Sequence, residues 1–203
     1  IRTVSDTVNL ERIHALHIDT LRGYLYAFGG NNAQSRGGAL VLNLQPNPMT
    51  PTYAGVFSTT YIHDGYVDND TLFAAHINSG FMQVIDFRDK RNPRILSRTT
   101  TPTAFTHNTW LSVNKKTVFT TDENGGSYLT AYDVTDPTAP RLLDKIQSVA
   151  GANAIIHNTH ILNDYAVTSW YTEGIVIHDV HRPSNIIQVG QFDTYNGASG
   201  ATF

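Results

Sequence analysis

Repeated histidines are the residues of this chain with the clearest capacity for chemistry. The segments "YIHDGYV" (Tyr61–Val67), "FTHNTWL" (Phe105–Leu111) and "AIIHNTHIL" (Ala154–Leu162) each place a histidine before Asp or Asn in an apolar, β-favouring context, and "RIHALHI" (Arg12–Ile18) is a looser fourth copy. We call the aligned residues the repeat histidines: His14, His63, His107 and His157. Neutral imidazole is a common ligand of transition metals, so a ring of such residues predicts a metal site.

Two of the copies contain a second histidine three residues further on, His17 and His160. In a regular strand the side chains alternate between faces, so residues three apart point in opposite directions. His157 and His160 therefore cannot bind one ion unless a β-bulge intervenes, and the same holds for His14 and His17. We predict that His17 and His160 pack between strands or blades.

The other candidate ligands follow the second β-like segment of the copies. The most acidic stretch is "TTDENGG" (Thr120–Gly126), whose carboxylates and loop carbonyls suit Ca²⁺ although the alternating spacing of an EF-hand loop is missing. Hydrogen bonding within the turn or between blades is the competing role. The predicted ligand-binding residues of this face are His76, Asp122, Glu123, Trp170, Tyr171 and Glu173.

Aromatic residues suggest a second kind of ligand. Trp110, Trp170 and Tyr171 could line a pocket for a glycan or a peptide, and the competing role is packing in the core. The chain has no cysteine and no GxSxG motif, and "GGNNAQSRGG" lacks the GK[ST] of a phosphate-binding loop. We therefore assign no catalytic residue from the sequence.

The elements that carry these residues recur with the histidines, at intervals of about 45 to 50 residues. The second copy shows four β-like segments: "YIHDGYV", "TLFAAHI", "GFMQVIDF" and "RILSRTT". Glycine, proline and aspartate turns separate them, and the third segment is the most continuously apolar, as expected of a strand covered on both faces. Asp86, Asp133 and Asp179 end the third segments and are predicted to fix the turns that follow.

This organisation predicts an all-β fold, a β-propeller of four-stranded antiparallel blades. We expect residues 1–203 to form a single propeller domain or segment of about four blades, which is part of a larger propeller. The net charge of -3 and the pI of about 6.3 give no basic footprint and argue against a nucleic-acid partner. No apolar run approaches the roughly 18 residues that a transmembrane helix requires.

The same segments resemble a known family. "GFMQVIDFRDKRNP" and "YLTAYDVTDPTAP" resemble the LVIVD repeat, and the order "YIHD", "THNTWL", "TTDE", "HNTH", "YTEG" and "FDTY" resembles the choice-of-anchor B proteins of bacteria. The resemblance covers nearly all of the chain. It implies a secreted or cell-surface β-propeller, at the outer membrane or in the periplasm, whose anchor is not in this chain. It implies no particular reaction.

Two functions remain open at this point. The first is a non-catalytic binding or scaffold module, or a subunit of a surface complex, whose partner is a protein, a glycan or a peptide. In it the repeat histidines hold blades together through ring N–H bonds to a neighbouring backbone, and Asp64, Asn108 and Asn158 satisfy turn groups. The alternative is a metal-dependent hydrolase or oxidoreductase with the repeat histidines on the propeller axis and Asp122 or Glu123 as base. The cofactor is unassigned; a transition metal or calcium fits the residue types.

Overall fold

The structure, a computed structural model, describes residues 12–31, 33–45 and 47–194. The described residues form sixteen strands in four antiparallel sheets of four strands each. Each sheet uses four consecutive strands in chain order, which is the organisation of β-propeller blades. The predicted all-β propeller fold is therefore confirmed. Residues 1–11, 32, 46 and 195–203 of the predicted domain lie outside the described part.

The strand bounds are as follows. Blade 1 contains β1 (Ala15–Asp19), β2 (Tyr24–Phe28), β3 (Ala39–Asn43) and β4 (Thr52–Phe57). Blade 2 contains β5 (Asp64–Asp68), β6 (Thr71–His76), β7 (Phe81–Asp86) and β8 (Arg94–Thr100). Blade 3 contains β9 (Thr106–Leu111), β10 (Thr117–Asp122), β11 (Leu129–Asp133) and β12 (Arg141–Ile146). Blade 4 contains β13 (Ile156–Leu162), β14 (Tyr165–Trp170), β15 (Gly174–Asp179) and β16 (Ile187–Phe192).

Short 3-10 turns follow β6 and β14, at Ile77–Ser79 and Tyr171–Glu173. Within the described residues, no helix is both long and apolar enough to cross a membrane.

The core lies between the blades. One apolar cluster joins blades 1 and 2 around Phe28 and Ile85, another joins blades 2 and 3 around Met82 and Val118, and a third joins blades 3 and 4 around Phe119. Strand β7 is buried at every position, because neighbouring blades cover both of its faces. The first strands of successive blades pack side by side, β1 on β5, β5 on β9 and β9 on β13, and so line the axis.

The turn after the third strand of a blade is built by an aspartate. The carboxylate of Asp133 accepts a hydrogen bond from the Thr135 backbone N–H at 2.9 Å, and that of Asp179 accepts one from the His181 N–H at 2.9 Å. Asp86 makes the same contact with Arg88, also at 2.9 Å. The side chain thus fixes the backbone two residues further on, which is the turn role predicted for these three residues.

A β-bulge lies at the repeat histidine of blades 1 and 2. In blade 1, the His14 N–H donates to the Phe28 carbonyl at 2.9 Å, although it is Ala15 that pairs with Phe28. In blade 2, the His63 N–H donates to the Ala75 carbonyl at 2.9 Å, although it is Asp64 that pairs with Ala75. Two consecutive residues therefore lie opposite one partner in both blades.

Blades 3 and 4 contain the same irregularity. In β9 the register passes from Thr106 to Asn108 while the partner strand advances by one residue, and in β13 it shifts between Ile156 and Thr159. A bulge interrupts the alternation of side chains. Our expectation that His157 and His160 point to opposite faces assumed a regular strand, and it needs correction: His160 also lines the axis, at a different height from His157.

Blade 4 differs from the others on its outer face. The burial of β15 alternates, with Ile175 41% exposed, whereas β7 has no exposed residue. On β16, Ile187 and Phe192 are 50% and 70% exposed. Ile175 corresponds to Met82 of blade 2, which is buried in the cluster between blades 2 and 3.

Candidate metal centre

The repeat histidines form a continuous arc across the axial mouth. The ring centroids of His14 and His63 lie 3.7 Å apart, those of His63 and His107 4.5 Å apart, and those of His107 and His157 4.3 Å apart. The bulges turn these side chains toward the axis, and the side-by-side packing of the first strands sets their spacing. The arc is compact because neighbouring blades contribute the rings.

A carboxylate lies over this arc. Glu123 directly follows β10, and its backbone N–H donates to the Phe105 carbonyl at 3.1 Å. Its Oε2 is 3.5 Å from His107 Nε2, and its Oε1 is 3.7 Å from His157 Nε2. The Tyr171 hydroxyl donates a hydrogen bond to Glu123 Oε1 and orients the carboxylate. Each of the four blades contributes one histidine to the arc, and blade 3 also contributes this carboxylate.

Burial keeps the imidazoles neutral. Burial, with a smaller contribution from the neighbouring imidazoles, lowers the pKa of His63 to about 4 and that of His107 to about 2. Burial also lowers the pKa of His157. The contacts of Glu123 with His107 and His157 are therefore not ion pairs at neutral pH. Neutral imidazoles have the free lone pairs that a metal ion requires.

Tyr171 stays protonated in the same pH range. Burial, followed by the hydrogen bond to Glu123 and its charge, raises the pKa of the Tyr171 hydroxyl to about 12. The hydroxyl thus remains a donor and holds one carboxylate oxygen in place, as outer partners commonly do for metal-binding groups.

Three side chains are close enough to share an ion. His63, His107 and Glu123 each offer one ligand atom, and these atoms all lie within 4.8 Å of one another. A tetrahedral zinc ion binds its ligand atoms at about 2.0–2.1 Å, which places two ligand atoms about 3.3 Å apart. The ligand atoms of the three side chains would therefore have to approach one another by about 1.5 Å. Side-chain rotation can supply this movement.

Two nitrogen atoms of the arc have no hydrogen-bond partner among the described residues. His63 Nε2 and His107 Nδ1 are buried without a hydrogen bond to any described residue. His63 Nδ1, in contrast, is hydrogen-bonded to the Tyr61 hydroxyl at 3.2 Å. Leaving a buried polar atom unpaired costs about 1–3 kcal/mol, and a bound ion would relieve that cost.

His14, at the end of the arc, has a structural contact. Its Nδ1–H donates to the His63 carbonyl at 3.0 Å and so joins blades 1 and 2. This is the blade-joining bond that we considered for all repeat histidines. The arc therefore combines one inter-blade tie with three imidazoles that lie nearer to Glu123.

Asp122 does not join the arc. Its side chain is 1% exposed and accepts hydrogen bonds from the Thr101 hydroxyl, from the Thr103 backbone and hydroxyl at 3.0 and 3.1 Å, and from the Phe105 N–H at 3.3 Å. It therefore fixes the connection between β8 and β9. The carboxylate has no geometry for calcium or for a base at the mouth.

Three further predicted ligands are also placed elsewhere. His76 is fully buried, donates from Nδ1 to the Tyr61 carbonyl at 2.7 Å and packs on Phe81. Trp170 is 1% exposed within the cluster between blades 3 and 4. Glu173 accepts a hydrogen bond from the Gln191 amide at 3.1 Å, on the outer part of blade 4. Of the six predicted ligand-binding residues, the structure brings Glu123 and Tyr171 to the histidines.

Tyr61 is the contact residue of this centre that sequence reasoning missed. It lies two residues before His63 and has no counterpart in the other copies, so the repeat pattern carries no signal for it.

A depression of about 430 Å³ lies away from the axis, beside the turn between β7 and β8, and is lined by Asp86, Arg88 and Arg94. The carboxylate there is already paired with both guanidinium groups, which lower its pKa, so we place the candidate centre at the axis.

Comparison with known proteins identifies the fold. No protein-family model matches the sequence, and no curated protein sequence matches it. A solved structure of a Lactobacillus plantarum protein superimposes with a TM-score of 0.69 at 14% identity, over 95% of this chain and 59% of that one. The Pseudomonas aeruginosa periplasmic gluconolactonase PpgL gives a TM-score of 0.69 at 13% identity, over 88% of this chain and 56% of that one.

A chain of the nidogen/laminin complex is also similar, with a TM-score of 0.62 at 11% identity, over 92% of this chain and 65% of that one. This chain thus spans less than two thirds of the length of each of these three structures. At such identities the likeness shows the β-propeller fold alone.

Proposed function

We propose that this chain is a β-propeller module that binds one divalent transition-metal ion at its axial mouth. His63, His107 and Glu123 are the ligands, and His157 completes the set from the next blade. The observation that carries the proposal is the approach of three ligand atoms to within 4.8 Å of one another. The low pKa values of the histidines support it, because they leave the rings in the ligand form.

The donor set favours a transition metal over calcium. Calcium takes six to eight oxygen ligands, whereas this centre offers mainly nitrogen and one carboxylate. A set of imidazoles with one carboxylate suits zinc, iron, copper or nickel. Asp122, the other oxygen donor considered for calcium, is occupied by its own hydrogen bonds.

Metal analysis tests the proposal directly. The purified chain is incubated with Zn²⁺, dialysed, and analysed by mass spectrometry for bound metal per chain. We expect about one equivalent for the unchanged protein and a loss of most of it in His107→Ala and in Glu123→Gln. His181→Ala is the matched control, because His181 is exposed and lies on a turn of blade 4. Negligible metal in the unchanged protein, or an equal loss in the control, would show that the histidines serve packing alone. Circular dichroism verifies that each variant is folded.

We also propose that the module works as a binding or scaffold protein at the bacterial surface or in the periplasm, as the resemblance to LVIVD-repeat proteins implies. A rigid propeller that presents loops around an axial site suits the capture of a protein, glycan or peptide partner. Fractionation of the native cells with an antibody against this chain tests the location. Detection in the cytoplasm alone would contradict it.

A second candidate function is metal-dependent hydrolysis. Glu123 favours it, because a carboxylate beside a metal can accept a proton from a bound water once His157 takes its place as third ligand. PpgL, one of the similar structures, is described as a gluconolactonase. Hydrolysis of gluconolactone by the zinc-loaded chain, lost in Glu123→Gln while the metal stays bound, would support the enzyme. Metal binding without any hydrolysis would support the binding module.

A further inference from the structure

A second row of rings lies deeper along the axis, below the histidine arc. We call it the aromatic row: His17, Tyr66, Trp110 and His160. The centroids of His17 and Tyr66 are 4.3 Å apart, those of Tyr66 and Trp110 are 5.1 Å apart, and those of Trp110 and His160 are 4.2 Å apart. Every blade contributes one ring, three residues after its repeat histidine.

A cavity of about 180 Å³ opens between this row and the first strands of all four blades. Its aromatic part contains His17, Trp110 and His160, and its polar part contains Asp64, Asn108 and Asn158. Drug-sized ligands occupy pockets of roughly 300–1,000 Å³, so this cavity fits a small molecule or a head group. It is separate from the Glu123 centre, whose carboxylate is not among its lining residues.

The cavity contains one carboxyl group without a basic partner. Burial raises the pKa of Asp64, and a bound cation would offset the cost of ionising this carboxyl group inside the protein. Asp64 accepts hydrogen bonds from the Gly65 N–H and from Asn108 Nδ2, both at 2.7 Å, and each carboxylate oxygen keeps further acceptor capacity. No lysine or arginine lines the cavity or forms an ion pair with Asp64 among the described residues. The Asn158 amide oxygen, also without a hydrogen bond to a described residue, is one more acceptor.

The aromatic row adds a surface that attracts cations. Trp110 lines the cavity, and the face of its ring carries the negative part of the quadrupole, which stabilises a cation within about 6 Å. His17 does not oppose it, because its Nδ1 accepts a hydrogen bond from the Val67 N–H at 3.3 Å and the ring is therefore neutral in this geometry.

We propose that this cavity binds a small alkylammonium ion. Its ammonium group donates hydrogen bonds to the Asp64 carboxylate, and its alkyl chain lies against Trp110 and the neighbouring rings. Acceptor oxygens on one side and aromatic faces on the other match the two halves of such a molecule. A neutral alcohol of the same length matches only the aromatic half.

Titration with n-butylamine at neutral pH tests the proposal, with a chelator present to keep the Glu123 centre free of metal. Ligand-observed saturation-transfer NMR and isothermal titration calorimetry follow binding to the full chain. We expect saturable binding of n-butylammonium and no comparable binding of n-butanol. Asp64→Asn should weaken binding about tenfold or more, because a charge-assisted hydrogen bond is lost. Trp110→Leu should weaken it about fivefold or more, because the best cation–π face is lost.

Asp68→Asn is the matched control. Asp68 lies on the same strand as Asp64, but its carboxylate pairs with Lys115 at 2.6 Å and does not line the cavity. We expect near-normal binding in this variant. The proposal is overturned if n-butanol or glucose binds as well as n-butylammonium, if n-butylammonium does not saturate, or if Asp68→Asn weakens binding as much as Asp64→Asn. Folding of each variant is verified by thermal unfolding, and Trp110→Leu provides a second test should Asp64→Asn unfold.

Discussion

Replacing Asp122 by alanine should destabilise the fold strongly. The carboxylate is 1% exposed and satisfies donors of Thr101, Thr103 and Phe105, in the connection between blades 2 and 3. A hydrogen bond to a charged group contributes about 1.5–3 kcal/mol, and buried donors left unpaired add a desolvation cost. Because contributions in one network are not additive, we expect a loss of about 3–5 kcal/mol in the free energy of unfolding.

Urea unfolding followed by circular dichroism measures this loss, with Asp136→Ala as the control. Asp136 forms a similar local network, with the Thr138 N–H at 2.9 Å and the Thr138 hydroxyl at 2.7 Å, but in an exposed turn. We expect that variant to lose less than about 1 kcal/mol, because water replaces the lost bonds. Equal losses in the two variants, or a loss below about 1 kcal/mol in Asp122→Ala, would refute a structural role that depends on burial. If the role of Asp122 is structural only, the Asp122→Ala protein that remains folded should still bind zinc, because Asp122 is not a ligand of the proposed metal centre.

The remaining predictions concern pH, packing and association. Burial lowers the pKa of His178 from 6.5 to about 4, so between these pH values the unfolded chain takes up a proton that the folded chain does not. The free energy of unfolding should therefore fall as the pH drops from about 6.5 towards 4, and it should fall less in His178→Phe. Urea unfolding at each pH measures both. Gly55→Ala should unfold at a much lower temperature than the unchanged protein, because its Cβ would lie 1.7 Å from the Lys90 carbonyl oxygen. Gly190→Ala is the control, because its Cβ would meet no atom closer than 3.7 Å. Equal melting temperatures of the two variants would contradict this prediction. The exposed apolar face of blade 4 should cause self-association that rises with protein concentration. Sedimentation experiments should show less association in Phe192→Asp. A protein that stays monomeric at every concentration would contradict this prediction.

The blade architecture was predictable because it depends on local patterns repeated along the chain. The segment "TLFAAHI" contains β6 and "GFMQVIDF" contains β7, and the turn aspartates lie where the third segments end. Alternation, β-branched residues and Gly, Pro or Asp turns act over a few residues, so a single sequence shows them. Repetition in four copies strengthens each assignment.

The candidate centre was predictable only in part. Position in the repeat left two arrangements open, a ring of the four histidines at the axis and separate ties between blades, and the structure places the four rings side by side. The choice between the adjacent residues Asp122 and Glu123 was open, because both are acidic and both lie at the end of the same strand. The backbone directs the Asp122 side chain towards the β8–β9 connection and the Glu123 side chain over the arc. Asp122 is held there by donors of the β8–β9 connection, about 20 residues earlier in the chain, and the local sequence does not show this contact.

By itself the sequence determined an all-β chain of four repeats, the likeness of the copies, and one histidine per blade near the axis. Only the tertiary structure decided what these histidines contact. The bulges depend on pairing with the second strand, and they place two successive side chains of each first strand at the axis. Tyr171, Glu123 and His63 meet because separate blades pack side by side, and contacts between blades are not encoded in the period of any one strand. This is the physical reason why His160, assigned to the opposite face from the strand pattern, lies beside Trp110 in the axial cavity.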